Sequence, residues 1–236
     1  MQQYFGTSKK GNIINLNSYD LNHIKNVMRM KENDKVIVVY DKVSYICSLN
    51  KDLLSASIID TFKDDTEKND FKVFVPLLND EKMSYIFKHG TELGVTEFEV
   101  VMYNHCKYKL NKKDYEKKLV RWSKILKEAS EQSYRLIIPK MDKIIEVDDV
   151  VGDKNVNIMC SLDKTNVKHI SSILTPDNCY DTISLVFGPE GGLSKDEENI
   201  ISKKGFIKTS LGNDVLRTET VPLMVASIVK YLRDSE

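Results

Sequence analysis

Residues 1–63 alternate short apolar runs with polar turns. Asn12–Asn17, Lys35–Asp41, Ser44–Leu49 and Ser55–Lys63 are rich in Ile, Val and Tyr. Runs of this length and type, separated by turn residues, predict the strands of a small barrel or sandwich. One short helical turn, Leu21–Met30, interrupts them, with Ile24, Val27 and Met28 beside Lys25, Arg29 and Lys31. Asp64–Asp70 then passes without an apolar side chain. Such a stretch predicts a boundary between one domain over residues 1–66 and a second over residues 71–236.

Beyond it the apolar period changes. Phe71–Leu78 predicts a strand, and Asp80 can cap a helix with Met83, Ile86, Phe87 and Leu93 on its apolar side and Gly94 at its C′ position. Phe98–Tyr103 is the next strand. Asp114 opens a long helix in which Tyr115, Leu119, Trp122, Leu126 and Ala129 recur at helical spacing, with the lysines on other faces. Val156–Leu162 predicts a strand, about Asn166–Leu174 a helix, and Thr182–Phe187 a strand of the buried kind. Ser194 and Glu197 form a capping box for the helix that follows. Phe206–Ser210 is a last short strand and Glu219–Leu232 a last helix, with Pro222 in its first turn. Strands alternating with helices predict a largely parallel α/β sheet covered on both faces.

Composition narrows the class. Hydrophobic residues are 41% and charged residues 30% of the 236, which is globular and soluble. No apolar run approaches the roughly 18 residues of a membrane span, and Met1–Phe5 has no leader pattern, so the expected location is cytoplasmic. Cys47, Cys106, Cys160 and Cys179 lie far apart without a CxxC pair, so reduced thiols and no metal site are expected. Net charge is zero, yet residues 105–140 hold eleven Lys or Arg against four acids. A basic island in a neutral chain is a candidate polyanion surface; a lysine-rich solvated helix face has the same composition.

Two segments carry the candidate chemistry. Gly188-Pro189-Glu190-Gly191-Gly192 follows an apolar strand and precedes a capped helix, the place where open α/β sheets bind ligands. Its glycines lack Cβ atoms, so backbone groups can approach a ligand directly, and Pro189 fixes one φ. The spacing matches neither GxGxxG nor the P-loop, which leaves a dinucleotide or NTP reading weak; a plain tight turn is the structural alternative. Downstream, Leu211–Thr220 bends at Gly212 and places Arg217 and Glu219 just before a helix. There Arg217 is open to three readings: a surface residue, half of an ion pair with Glu219, or an electrophilic group facing developing negative charge.

With these two segments stand His23-Ile24-Lys25-Asn26-Val27-Met28-Arg29-Met30, Thr91-Glu92-Leu93-Gly94-Val95 and Ala129-Ser130-Glu131-Gln132-Ser133-Tyr134-Arg135. In this order, with Phe187–Ser194 and Leu211–Thr220, they span nearly the whole chain, which resembles the RsmE family of the SPOUT class. Members of that family use S-adenosyl-L-methionine to methylate N3 of a uridine in small-subunit (16S) ribosomal RNA. The resemblance implies a SPOUT α/β domain with a trefoil-knotted parallel sheet, a rare exception to ordinary chain topology, and a PUA-like, RNA-binding N-terminal β-barrel. It also implies a homodimer with the cofactor held in the knot near the dimer interface. Cofactor contacts are expected at Leu162, Gly188, Pro189, Glu190, Gly191, Leu211, Gly212, Val215, Leu216 and Thr218. The chain departs from the family pattern at Gln3, Asn79-Asp80, His89 and Val221.

Uridine N3 carries a proton at neutral pH, and its anion spreads onto O2 and O4. A guanidinium beside it would stabilise that charge, the catalytic role expected of Arg217. Glu219 is the catalytic carboxylate candidate, while the general base stays open among Glu219, water and a residue of a second subunit. N3 lies on the Watson–Crick edge, so the target base must be unpaired or flipped out. Lys25, Arg29, Arg121, Gln132 and Arg135 are the expected RNA contacts, with the ribosomal RNA or the assembled small subunit as partner. Two other readings compete: a SPOUT methyltransferase for another ribosomal or transfer RNA base, and a non-catalytic RNA-binding assembly protein.

Overall fold

The computed structural model describes residues 1–63, 70–110, 112–163, 165–179 and 181–234. The chain divides into two compact units, Met1–Glu67 with Ser130–Ile137 and Lys68–Ala129 with Ile138–Glu236. Apart from Asp70, the expected boundary at Asp64–Asp70 lies outside the described residues.

Closure of the first unit depends on a strand with little apolar alternation. β1 (Gln3–Lys10) pairs antiparallel with β2 (Ile13–Leu16) and parallel with β3 (Lys35–Tyr40). With β4 (Val43–Leu49) and β5 (Ser55–Lys63) they form a closed barrel in the order β1-β2-β5-β4-β3. Gly6 of β1 admits the Ile14 side chain, since a Cβ there would lie 2.4 Å from Ile14 Cγ2. Tyr4, Ile14, Leu16, Ile24, Val36, Val38, Cys47, Leu49 and Ala56 fill the interior. The helical turn expected at Leu21–Met30 begins earlier and changes pitch: α1 (Ser18–Asn22), capped by Asn17, continues as a π-helical turn over His23–Val27. Residues 130–137 join this unit through Gln3 Nε2, which donates to the Arg135 carbonyl at 2.8 Å, and Tyr134 Oη, which donates to the Met1 carbonyl at 2.7 Å.

The second unit is a seven-stranded, wholly parallel sheet. Its strands are β6 (Phe71–Pro76), β7 (Glu97–Met102), β8 (Ile144–Glu146), β9 (Val156–Cys160), β10 (Lys168–His169), β11 (Ile183–Phe187) and β12 (Ile207–Ser210). They lie in the order β10-β12-β9-β11-β6-β7-β8. Side chains alternate between two apolar layers, as a pleated strand requires. Val73, Val75, Leu185 and Phe187 face one layer, which includes Phe87, Trp122 and Val225. Phe74, Val186 and Met159 face the other, with Ile201 and Phe206. The helices α2 (Asp80–Glu92), α3 (Lys112–Gln132), α4 (Lys195–Lys203) and α5 (Thr220–Asp234) thus bury both sheet faces. Fully buried Trp122 meets Phe87 and Tyr115 edge-on, at ring-centroid distances of 5.4 and 6.1 Å. Truncating such a core aromatic costs about 3–5 kcal/mol. No helix among the described residues is long and apolar enough to cross a membrane.

Three local expectations are corrected. Asn79, not Asp80, caps α2, its Oδ1 accepting the Lys82 N–H at 2.9 Å; Asp80 turns to Lys118 and Arg121 instead. The helix expected to open at Asp114 starts at Lys112. No α-helix forms over Asn166–Leu174: Lys168–His169 extend the sheet beside Thr209–Ser210, and one 3-10 turn follows over Ile170–Ser172. Ile170, Ile173 and Leu174 are buried along this turn and the two residues that follow it.

Candidate cofactor cleft and methyl-transfer site

Because β12, β9 and β11 are parallel neighbours, their carboxyl ends lie side by side. The chain leaving each end contributes one wall of a cleft with about 850 Å³ of open space, its mouth included. All five residues of β11 are buried, and it runs into the glycine loop. The Gly192 N–H donates to the Pro189 carbonyl at 2.8 Å, and Gly192 has φ +72°, a left-handed conformation that favours glycine. A Cβ on Gly188 would lie 2.7 Å from both the Gly192 carbonyl carbon and the Leu193 nitrogen, so the loop folds back tightly on itself. Ser194 and Glu197 then cap α4 reciprocally: the Glu197 N–H donates to Ser194 Oγ at 3.3 Å and the Ser194 N–H to Glu197 Oε2 at 2.7 Å.

Beyond β12 the chain bends at Gly212, where φ is +134° and the Cβ direction is open for 4 Å. It re-enters helix where the Thr220 N–H donates to the Arg217 carbonyl at 2.9 Å. The third wall is Cys160–Asp163, past β9. Burial pushes the Cys160 thiol up to about 12, so it stays protonated. Asp163 is held well below the ordinary carboxylate range, chiefly by the Lys208 hydrogen bond. Lys208 Nζ lies 2.5 Å from Asp163 Oδ2 and 2.8 Å from Glu198 Oε2, and Ser161 Oγ donates to Glu198 Oε1.

Leu162, Gly188, Pro189, Glu190, Leu211, Gly212, Val215, Leu216 and Thr218 all line the cleft. Gly191 does not: a Cβ there would meet His105 Cβ at 2.9 Å, so this glycine is the seat for His105, whose Nδ1 lies 3.0 Å from the Gly192 carbonyl. Arg217 is exposed, and its guanidinium has no hydrogen bond or ion pair among the described residues. Glu219 pairs with Lys82 of α2, at 3.0 Å from Oε2, and not with Arg217. Among the described residues Oε2 has no other donor, and the contact is an ion pair more than an aligned hydrogen bond. Lys82 also donates to Glu190 Oε1 at 2.9 Å. Burial would raise both carboxyls, but the Lys82 contacts and hydrogen bonds from their own backbone hold them below the ordinary glutamate range. The same two partners raise the Lys82 ammonium above the ordinary lysine range. Lys82, Ser161, Asp163 and Lys208 carried no local motif that could have singled them out.

The candidate RNA contacts divide by exposure. In the first unit Lys25, Arg29 and Gln132 are exposed, whereas Arg135 is only 5% exposed. In the second, exposed Arg121 donates to Asp80 at 3.2 Å.

The chain matches the RNA methyltransferase domain family over residues 65–230 and the RNA methyltransferase PUA domain family over residues 16–59. Ribosomal RNA small subunit methyltransferase E of Bacillus subtilis is 30% identical, the match covering 98% of this chain and 96% of that one. The protein of that name from Mesomycoplasma hyopneumoniae is 32% identical, with 99% and 100% covered. Among solved structures, ribosomal RNA small subunit methyltransferase E from Neisseria gonorrhoeae bound to S-adenosyl methionine superposes with a TM-score of 0.85, at 24% identity over 98% of both chains. The parallel sheet with its cleft is of the SPOUT type, and the closed five-stranded barrel is PUA-like. Matched across both units, and along nearly their full length by relatives of one name, the chain belongs to the RNA methyltransferase family of ribosomal RNA small subunit methyltransferase E.

Proposed function

We propose that this protein transfers the methyl group of S-adenosyl-L-methionine to N3 of a uridine in small-subunit ribosomal RNA, acting in the cytoplasm as a homodimer. The observation that carries the reading is the cleft where three parallel strand ends meet, walled on two sides by glycine-bearing loops. The cofactor fits these residues. At Gly212 the space a Cβ would occupy is open, so a ligand can reach the backbone there. Leu162, Val167, Leu211, Leu216 and Val221 offer apolar surface to an adenosyl group, and Glu190 and Asp163 offer charge and hydrogen-bond acceptors at its edge. When bound, the cofactor supplies an electrophilic methyl on a sulfonium.

The chain's own part is positioning and charge stabilisation. Exposed, and without an ion pair among the described residues, Arg217 is available to the anion that forms on O2 and O4 as N3 loses its proton. A carboxylate held below its ordinary range is a poor proton acceptor, so Glu219 suits a positioning role better than that of general base. Support for the dimer comes from Leu162 and Val215, 59% and 73% exposed beside the cleft, as apolar residues covered by a partner would be. The barrel, with Lys25 and Arg29 exposed, is read as the RNA-gripping unit.

Two measurements test this. Calorimetry should give saturable binding of S-adenosyl-L-methionine at one site per chain. Mass spectrometry of small-subunit RNA from cells with and without the gene should show one methyluridine lost with it, restored by the purified protein. A missing mark on another base or another RNA would favour the second SPOUT reading; no cofactor binding would leave a non-catalytic RNA-binding protein.

A further inference from the structure

Lys82 joins the two glycine-bearing walls of the cleft. Its ammonium lies 2.9 Å from Glu190 in the loop after β11 and 3.0 Å from Glu219 at the end of the segment after β12. It arrives there through local structure: Asn79 caps α2 through the Lys82 N–H, fixing the first turn beyond the carboxyl end of β6, the strand beside β11. Side-chain exposures of 24%, 31% and 15% for Lys82, Glu190 and Glu219 leave the three partly shielded from water. Without the ammonium, the two carboxylates beside it would repel one another. The other charges acting on the pair are more distant: Lys107 toward Glu190 and Arg217 toward Glu219, with the Cys106 thiol on the Glu190 side.

We propose that Lys82 is a positioning residue for methyl transfer: its ammonium clasps Glu190 and Glu219, and so holds the two walls at the spacing the adenosyl group of the cofactor requires. This rests on the function proposed above. The methyl donor carries a net positive charge and its demethylated product, S-adenosylhomocysteine, does not. A clasp therefore differs measurably from a mere countercharge. Losing a clasp weakens both ligands alike, whereas losing a nearby positive charge strengthens the cationic donor relative to the product.

Calorimetry with both ligands, on wild type, Lys82→Gln, Lys82→Arg and the double variant Lys82→Gln with Glu190→Gln, decides between them. Lys82→Gln should bind both ligands more weakly, by on the order of tenfold (about 1.4 kcal/mol), with their ratio unchanged. Lys82→Arg should recover most of the loss, because a guanidinium can serve two carboxylates. Adding Glu190→Gln should recover part of it by removing the repulsion. Across pH 4 to 7 the wild-type affinity should be flat to lower pH than that of Lys82→Gln, whose carboxylates take up a proton sooner. Unchanged affinity in Lys82→Gln, selective strengthening of the methyl donor, or coincident acid limbs would each overturn the clasp. If Lys82→Gln does not fold, the Arg variant alone decides, since failure to bind either ligand in a folded protein would also overturn it. Wild-type protein that binds neither ligand would sink the proposed function itself, a result distinct from any of these.

Discussion

Arg217 is the residue on which chemistry and binding separate most cleanly. It stands between Leu216 and Thr218, both of which line the cleft, and its side chain is exposed. Lys82 engages the Glu219 carboxylate, which removes the Arg217–Glu219 ion pair as an explanation for the arginine. If the guanidinium stabilises the uridine anion, its effect grows as the proton leaves and the methyl moves. Arg217→Ala should then lower the saturated single-turnover rate by on the order of a hundredfold, about 3 kcal/mol, with cofactor and RNA affinities nearly intact. Lysine should rescue in part, lacking the planar fork. A saturated rate near wild type would end the candidacy of Arg217. At this scale the glycine loop is legible in sequence because missing side chains are a local statement. The division of labour among its glycines is not: Gly191 seats His105, which is far away in sequence.

At the scale of elements the basic island shows what composition leaves open. On α3, Lys118 and Arg121 both reach Asp80, at 2.5 and 3.2 Å, and Lys124 lies 3.6 Å from Glu128. A cation already paired releases fewer counterions on meeting a phosphate than a free one. Lys113 and Lys117 are exposed, with no ion pair among the described residues. Replacing both with alanine should make the salt dependence of RNA binding shallower by about 1.4 in the log–log slope, taking about 0.7 per contact to single-stranded RNA. Arg121→Ala with Lys124→Ala should change it less, and equal slopes in all three proteins would make the island a solvated helix face. The capping box of α4 was readable because it needs only Ser194 and Glu197, three residues apart. The helix expected over Asn166–Leu174 failed because Lys168–His169 are claimed by β12, a partner some forty residues downstream.

On the scale of the whole molecule, the barrel is not a simple N-terminal segment. Residues 130–137 belong with it, and two of the hydrogen bonds holding them end on Gln3 and Met1, at the start of the chain. A fragment of residues 1–66 would lose both, about 1 kcal/mol each. Its β1 amides should exchange with solvent at least tenfold faster than the same amides in the full chain. Equal protection in fragment and full chain would show that residues 130–137 add nothing to the barrel.

What the sequence by itself determined is whatever short-range physics enforces: the capping box of α4, the apolar faces of the long helices, the buried strand before the glycine loop, and the order of motifs that places the chain in its family. What only the tertiary structure decided depends on pairing between distant segments. β1 shows little alternation, and its partners on both sides are needed to define it. Strand order brings three strand ends together from separate parts of the chain. Lys82 meets Glu190 and Glu219 only because β6 lies next to β11, so its role is invisible until the sheet is assembled.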